Sequence, residues 1–425
     1  MEYRNTATQP IQEREALYRL MVGQLRYDGY ENAAGAVGQI IATYPPVAPS
    51  SRLGHLVQLG MKTEGEVAGN PDLADMLPHL RGQGVLDLEY EADEKASCPE
   101  ISSYDLTYGT SHKAAALTAA FSSDGRLAAT GSADYSIKIL DVERMMSKTA
   151  IGHNQDLHPV IRTLYDHTDA VLSLDFHPAV SVLVSGSKDC TIKFFDYSKP
   201  SVKKSYRTIQ EVAPVRALSF HPSGDFLLAG TSQSTLRLYD ISSLNCYVAS
   251  DSRDQHTKGI TSIHYSTEGR LYVTASEDGS IKVWDGVSNR CVNTFKKAHN
   301  GEAVTSVRFS KNSKYVLSSG KDGNAALWEL STGRPLNTYQ PSKSKNVLFS
   351  PCAIFNHTED YVLMCEERKP QYMILSWDAR TAQPHGPLPS NHGNTVHYIS
   401  HSPQIAALMT TGEDNRIKFF YHRDQ

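Results

Sequence analysis

The sequence predicts an all-β propeller of seven blades, preceded by a small all-α domain at the N-terminus. In five places a histidine stands 22 or 23 residues before an aspartate, as His256 does before Asp278. Seven residues after each aspartate an apolar, β-rich stretch ends, as it does at Asp285. Such end points recur at intervals of 43–55 residues, and a period of roughly 40–45 residues is typical of a four-stranded propeller blade.

The propeller is predicted to occupy residues 104–425. Alternating strands flank turn residues in each unit, as Val215–Phe220 precedes the turn His221–Asp225. The sequence ends four residues after the last unit, so the outer strand of the last blade is expected to come from residues 104–111. That strand would close the ring and cover an open sheet edge. The seven units end at Asp141, Asp196, Asp240, Asp285, Glu329, Asp378 and Tyr421.

Residues 1–65 are predicted to form a helical domain, because their apolar residues recur at helical spacing. Gly29 favours a break after the first helix, and Pro45 ends the second. Three short helices bury little surface alone, so we expect this domain to form a homodimer. Residues 66–103 have mixed Gly, Pro and acidic content and are predicted to be a linker. The residues predicted at the dimer contact are Leu17, Leu20, Met21, Leu25, Tyr27, Tyr30, Ala33, Val37, Ile40 and Ile41.

The histidine–aspartate pairs allow a catalytic and a structural interpretation. In an enzyme, one pair would be a general base and the carboxylate that orients it. Five near-identical copies favour the other interpretation, a hydrogen-bond network inside each blade that satisfies buried polar groups. Glu211 and Gln233 depart from the pattern in the third unit, and the sixth unit has Gln371 and no recognisable histidine, so partner contacts are expected there. The predicted framework residues are His112, Asp134, His167, Asp189, His256, Asp278, Trp284, His299, Asp322, Trp328, His392 and Asp414.

Composition and motifs argue against several classes of protein. The net charge of −4 gives no general attraction to nucleic acid or to an anionic membrane. The six cysteines include no C-x-x-C pair, which favours a reducing compartment. No secretory signal and no run of 18 apolar residues is found, so an intracellular, soluble protein is expected. Phosphate-loop, zinc-protease and nucleophile-elbow motifs are absent, and no catalytic residue, metal or cofactor is predicted.

Three features exceed what the repeat requires. A long connection runs from Arg144 to His158, and a basic stretch runs from Lys199 to Arg207. Charged residues also stand just before the turn aspartates and should lie around one face of the ring. Long connections are often functional, the basic stretch suits RNA or an acidic partner, and the turn residues suit a charged, extended ligand, but ordinary solvated surface remains the alternative for each. The residues considered for partner binding are Lys188, Glu277, Lys321, Glu413, Lys203, Lys204 and Arg207.

The repeating units resemble WD40 repeats. Trp284-Asp285 and Trp377-Asp378 match the family signature, and Trp328-Glu329 is a close variant. The N-terminal helices are similar to a LisH-type dimerisation unit. The whole chain resembles the WD-repeat subunit of cleavage stimulation factor, which acts in mRNA 3′-end formation. Stretches that carry this resemblance are 24–30, 131–141, 160–167, 195–200, 284–291 and 355–363.

The resemblance implies a nuclear, non-enzymatic subunit that forms a homodimer through its N-terminal helices. It implies that the propeller contacts a scaffold subunit built of half-a-TPR repeats. A third subunit with an RNA-recognition motif would bind the RNA, so contact with RNA is expected through the complex. Contact with the C-terminal domain of RNA polymerase II is implied as well, and no membrane partner is. The alternative function is a substrate-receptor propeller of a ubiquitin ligase, where LisH-type helices also precede WD40 repeats.

Overall fold

The computed structural model describes residues 86, 98–147, 158–199, 202–249, 251–341, 352–368 and 371–423. The chain divides into two compact units, Met1–Gln83 and Gly84–Gln425, and every described residue belongs to the second. The predicted dimerisation residues, the boundary at residue 65 and residues 148–157 of the long connection therefore lie outside the described residues.

Twenty-eight strands form seven four-stranded antiparallel sheets in this described part of the chain, and each sheet is one blade. Blades 1 to 3 are β2–β5, β6–β9 and β10–β13. These strands, with β1, are β1 (Asp105–Ser111), β2 (Ala116–Phe121), β3 (Leu127–Ser132), β4 (Ser136–Asp141), β5 (Val160–Tyr165), β6 (Val171–Phe176), β7 (Val182–Ser187), β8 (Thr191–Asp196), β9 (Arg207–Gln210), β10 (Val215–Phe220), β11 (Phe226–Thr231), β12 (Leu236–Asp240) and β13 (Cys246–Tyr247).

Blades 4 to 7 continue the same order, and the seven blades confirm the fold class predicted from the repeat. The third strand of each blade ends at the unit end read from the sequence. The remaining strands are β14 (Ile260–Tyr265), β15 (Leu271–Ser276), β16 (Ile281–Asp285), β17 (Cys291–Phe295), β18 (Val304–Phe309), β19 (Tyr315–Gly320), β20 (Ala325–Glu329), β21 (Pro335–Tyr339), β22 (Ala353–Phe355), β23 (Tyr361–Arg368), β24 (Gln371–Asp378), β25 (Leu388–Pro389), β26 (Val396–His401), β27 (Ala407–Gly412) and β28 (Arg416–Tyr421).

Strand β1 closes the ring. It pairs antiparallel with β28, from Asp105 opposite Tyr421 to Ser111 opposite Arg416. Blade 7 is therefore built from β26, β27 and β28 at one end of the propeller sequence and β1 at the other. The pairing satisfies backbone groups of β28 that would otherwise form an open edge.

Both faces of each blade are buried against neighbouring blades. In blade 4, Val273 and Val283 pack toward blade 5, whereas Tyr272 and Trp284 pack toward blade 3. Successive side chains of a strand point to opposite faces, which explains why these strands are almost continuously apolar. The buried apolar side chains of the described residues form seven clusters, one at each blade interface.

The turns between the first and second strands connect neighbouring blades. The His177 ring lies under Gly224 of the next blade, and the His221 ring lies under Gly269 in the same way. Both glycines have positive φ, 85° and 73°, a conformation that other residues adopt at a cost. Between blades 4 and 5, Thr267 Oγ1 donates to the Lys311 carbonyl at 2.9 Å. Each turn thus helps to fix the position of the next blade.

The long connection after blade 1 begins as a helix, α1 (Val142–Ser147), which the sequence interpretation did not anticipate. Val142 and Met145 are buried in the cluster between blades 7 and 1. Arg144 donates to the His158 carbonyl at 3.3 Å and so joins the described ends of this connection. The apolar spacing of Val142 and Met145 is the sequence signal that indicates this turn of helix.

Candidate functional site

The histidine–aspartate pairs lie inside the blades and form hydrogen-bond networks. In blade 4, His256 Nδ1 lies 3.2 Å from Asp278 Oδ2, and its Nε2 lies 2.7 Å from Thr274 Oγ1. Trp284 Nε1 donates to the same Thr274 oxygen at 2.9 Å. One hydroxyl therefore joins the histidine of the blade entry to the tryptophan of the third strand.

Asp278 also holds the tight turn between β15 and β16. Its Oδ1 accepts hydrogen bonds from Ser280 Oγ at 2.6 Å and Ser280 N at 2.9 Å, and its Oδ2 accepts from Thr257 N at 2.9 Å. Burial opposes ionisation of this carboxyl group, but the hydrogen bonds from His256, Ser280 and Thr257 outweigh it and lower the pKa of Asp278. The aspartate is therefore an ionised anchor for the turn.

Four other blades repeat this geometry. Each histidine places Nδ1 within 3.3 Å of the turn aspartate and Nε2 within 3.0 Å of a serine or threonine hydroxyl on the second strand. Burial lowers the pKa of His112 to about 4, and it also lowers the pKa of His167 and His392. The sets are His112, Asp134 and Thr130; His167, Asp189 and Ser185; His299, Asp322 and Ser318; and His392, Asp414 and Thr410.

A hydrolytic triad also consists of a serine hydrogen-bonded to a histidine that is hydrogen-bonded in turn to an aspartate. In blade 2 the distances are short, 2.7 Å from His167 Nε2 to Ser185 Oγ and 2.8 Å from Nδ1 to Asp189. Ser185, however, is 0% exposed, and so are Thr130, Thr274, Ser318 and Thr410. A nucleophile must reach its substrate, so the geometry favours a structural network in every one of these blades.

Blade 3 replaces this network with different residues. Glu211 occupies the histidine position, where its carboxylate accepts from Tyr239 OH at 2.6 Å and from Arg237 Nη1 at 2.9 Å. Tyr239 occupies the tryptophan position, and burial together with Glu211 raises its pKa. We expected partner contacts at Glu211, but its 5% exposure makes that expectation wrong, whereas Gln233 is exposed. The signal in the sequence was Arg237, which can balance a buried carboxylate.

The four charged turn residues considered for partner binding occupy equivalent positions. The backbone N–H groups of Lys188, Glu277, Lys321 and Glu413 each donate to a carbonyl just before the first strand of the same blade, at 2.8–3.0 Å. Lys188, Lys321 and Glu413 are exposed. Glu277 instead accepts from Arg216 Nη1 at 2.5 Å, so its charge is already paired within the protein.

The basic stretch divides into exposed and engaged residues. Lys203 and Lys204 are exposed in the connection between β8 and β9. Arg207 is half-buried and donates to the Ile241 carbonyl at 2.5 Å, which joins blade 2 to blade 3. Of the three basic residues considered for partner binding, the two lysines therefore offer their charge to solvent and Arg207 has a structural contact.

Comparison with known proteins identifies the family. Residues 9–65 match the family described as cleavage stimulation factor subunit 1, dimerisation domain. Residues 105–141, 159–196, 203–240, 249–285 and 289–329 match the WD domain, G-beta repeat. A protein of Arabidopsis thaliana, cleavage stimulation factor subunit 50, is 37% identical over 414 residues, which cover 95% of this chain and 95% of that protein.

This chain belongs to the cleavage stimulation factor subunit 1 family. The resemblance seen in the sequence is thereby confirmed, and so is the presence of a dimerisation domain ahead of the WD repeats. More distant relatives match less than half of this chain. The Emericella nidulans nuclear distribution protein nudF is 33% identical over 32% of this chain and 30% of its own length, and the Saccharomyces cerevisiae COMPASS component SWD3 is 26% identical over 45% and 57%.

The inner strands of this family member surround a central cavity of about 690 Å³. Arg308 on β18 donates to Tyr398 OH at 2.5 Å inside it. Asp175 on β6 accepts from Phe220 N at 2.7 Å, and burial raises the pKa of Asp175 to about 6. Among the described residues, no group of three or more His, Cys, Asp or Glu is arranged to hold a metal ion. The described helices also include none that could span a membrane.

Proposed function

We propose that this member of the cleavage stimulation factor subunit 1 family is a non-catalytic interaction subunit of the cleavage stimulation factor complex. It would act in the nucleus, in pre-mRNA 3′-end cleavage and polyadenylation. The observation that carries this proposal is the 37% identity across 95% of both chains, which extends over the N-terminal region as well as the propeller. The full burial of the hydroxyl groups in the five triad-like sets supports a role without catalysis.

The proposed organisation has a homodimerisation domain over residues 1–65, a linker over 66–103 and the propeller over 104–425. The match of residues 9–65 to a dimerisation domain supports the first of these. We propose that the propeller binds the half-a-TPR scaffold subunit, and that an RNA-recognition-motif subunit joins the complex indirectly. RNA would be contacted through the complex, and the C-terminal domain of RNA polymerase II is a further partner. A dimer presents two scaffold sites, which raises avidity without new contacts.

The rim formed by Lys188, Lys321 and Glu413 is the surface that we propose for the scaffold. These side chains are exposed at equivalent positions of blades 2, 5 and 7. Their mixed charge suits an extended peptide that carries both acidic and basic residues. Lys203 and Lys204 offer a second exposed charge, in the connection between β8 and β9.

Affinity purification from nuclear extract, followed by mass spectrometry, tests the proposal. We expect recovery of the half-a-TPR subunit with other 3′-processing factors, and reduced recovery with Lys188→Glu/Lys321→Glu. Lys203→Glu/Lys204→Glu makes the same charge change at the second candidate surface, and loss of recovery with that variant alone would place the scaffold on the β8–β9 connection instead. Recovery of cullin components without processing factors would show that the chain is a ubiquitin-ligase receptor instead. Light scattering on residues 1–65 tests the dimer, and a monomer mass at roughly 10–50 μM would contradict it.

A further inference from the structure

Leu86, which precedes the propeller by almost twenty residues, is buried within it. Its side chain is 1% exposed and packs in the cluster between blades 5 and 6, which includes Tyr315, Leu317 and Trp377. Its backbone is held as well, because Leu86 N donates to Glu359 Oε2 at 3.4 Å and Asn312 Nδ2 donates to Leu86 O at 2.6 Å. One apolar side chain and both of its main-chain polar groups are thus recognised together, as a peptide would be.

Glu359 has an unusual place in this contact. Its N–H donates to the Asn356 carbonyl, as the N–H of Gly269 donates to the Ser266 carbonyl in blade 4. The two residues therefore occupy the same turn position, and Gly125 and Gly224 occupy it in blades 1 and 3. Glu359 adopts a φ of 63° there. A residue with a β-carbon is strained in this conformation, so the turn itself does not favour glutamate.

The Glu359 carboxylate provides a reason for that strain. It is 3% exposed, and its Oε1 accepts from Lys311 N at 2.6 Å while its Oε2 faces Leu86 N. Glycine at this position would relax the backbone and lose both acceptors. Strained residues of this kind persist where their side chains have a specific task, and the hydrogen bonds from Lys311 N and Leu86 N give the Glu359 carboxylate such a task.

A second anchor lies at the other interface of blade 6. Cys98, Ile101 and Tyr104 are buried in the cluster between blades 6 and 7. Tyr104 OH lies 3.3 Å from His401 Nε2. The linker therefore contacts both neighbours of blade 6, at Leu86 on one side and at residues 98–104 on the other.

The described residues of blade 6 do not include the hydroxyl that joins a histidine to a tryptophan in the other WD-type blades. In blade 4, Thr274 on the second strand pairs with Lys282 on the third. The equivalent pair in blade 6 is Met364 and Leu375, so a methionine takes the place of the threonine. A methionine cannot accept the hydrogen bonds by which Thr274 joins a histidine to a tryptophan. Blade 6, whose described residues lack this connection, is also the blade that has described residues of the linker buried at both of its interfaces.

We propose that Leu86 and residues 98–104 act as a strap that docks on the two sides of blade 6, and that Glu359 and Asn312 form the receptor site for Leu86. The site takes Leu86 of this same chain, with its apolar side chain and both of its main-chain polar groups. The strap holds blade 6 between blades 5 and 7, whereas five other blades have a histidine network and blade 3 has the Glu211 network.

Substitution of Glu359 in the full-length chain tests whether this residue binds Leu86 or is only a strained residue of the turn. Glu359→Gly should raise hydrogen exchange at the Leu86 amide by roughly tenfold, the loss of one hydrogen bond, and should lower the melting temperature. Ser313→Gly is the matched control, because Ser313 has the same turn position in blade 5, with φ 58°, and the described hydrogen bonds of Leu86 go to Glu359 and Asn312 instead. It should leave Leu86 exchange unchanged and should not lower the melting temperature.

The background Leu86→Asp makes the test decisive, because a charged side chain cannot enter the apolar cluster. With the strap already released, Glu359→Gly loses little docking and relieves backbone strain. Its effect on the melting temperature should therefore be less negative in the Leu86→Asp chain than in the native chain, or should reverse sign. Equal effects of Glu359→Gly in both backgrounds, with unchanged exchange at residue 86 in the native chain, would overturn the proposal.

Discussion

The carboxylate of Glu211 accepts a hydrogen bond from the hydroxyl of Tyr239 at 2.6 Å, where blade 4 places His256 and Trp284. The Glu211 side chain is 1% exposed and also pairs with Arg237 at 2.9 Å. Blade 3 thus connects its outer entry to its third strand by a charged set of residues. Glu211 and Tyr239 in blade 3 thus link the same two positions as His256 and Trp284 in blade 4, with different side chains. The propeller tolerates this replacement because each network lies within one blade.

Glu211→Ala is expected to lower the free energy of unfolding by about 3–5 kcal/mol, the cost of leaving Arg237 as an unpaired, largely buried charge. Tyr239→Phe leaves that ion pair intact and should cost only about 1–2 kcal/mol, since it removes one hydrogen bond. Urea denaturation followed by fluorescence measures both values. A loss with Glu211→Ala no larger than that with Tyr239→Phe would contradict the assignment of Arg237 as its partner.

Asp278→Ala should lower the free energy of unfolding by about 1–3 kcal/mol for each buried group left without its acceptor. His256 and Ser280 lose their partner, and Thr257 N loses its acceptor. Glu268→Ala in the same blade is the control, because its side chain is 68% exposed and its ion pair with Arg270 is at the surface. Partner recovery from nuclear extract should be retained in both variants. Loss of partners at unchanged stability would refute the structural role of Asp278.

Gly269→Ala should destabilise the propeller for two separable reasons. The φ of 73° is strained for alanine, and the new Cβ would lie 2.3 Å from His221 Nε2. Gly301→Ala isolates the first reason, because Gly301 has φ 85° and nothing within 4 Å of the added carbon. We expect a loss of about 1–2 kcal/mol at Gly301 and a greater loss at Gly269, measured by chemical denaturation. Similar losses at the two positions would show that the His221 ring moves aside freely.

Removal of β1 tests how the ring is closed. A chain that begins at His112 lacks the strand that pairs with β28, so backbone groups of β28 become an exposed edge. Its melting temperature should fall sharply and aggregation should increase, relative to a chain that begins at Tyr104 and keeps β1. Scanning calorimetry and light scattering measure the two effects. Equal thermal midpoints of the two chains would count against closure by β1.

The repeat in the sequence predicts what is local to a blade. The ends of the third strands, the turn aspartates and the histidines all follow from spacing, because each network is completed within about 30 residues of sequence. The contacts between blades do not follow in this way. The His177 and His221 rings lie under glycines of the next blade, and Leu86 lies between blades 5 and 6, so their roles depend on neighbours that only the closed ring brings together.

Asp175 gives the propeller a pH dependence that one substitution should remove. Burial raises the pKa of Asp175 to about 6 from 3.8, although Phe220 N and Arg308 favour the ionised form. The folded protein therefore binds this proton more tightly than the unfolded chain. The contribution of Asp175 to the free energy of unfolding is greatest below pH 3.8 and declines as the pH rises through about 6. Other titratable residues that line the cavity are Arg216, His221, His264, Tyr265, Arg308, Cys352, His397, Tyr398 and His401.

Asp175→Asn keeps the shape of the side chain and does not titrate. The difference in unfolding free energy between this variant and the native chain should therefore shift in favour of the variant between pH 4 and pH 7.5. The shift should be at most about 3 kcal/mol, because 1.36 kcal/mol corresponds to each pH unit and cavity water can solvate the carboxylate. The other cavity residues titrate in both proteins, so they cancel in the difference. Urea denaturation across this range measures it, and a constant difference would show that Asp175 ionises in the folded protein as easily as in the unfolded chain.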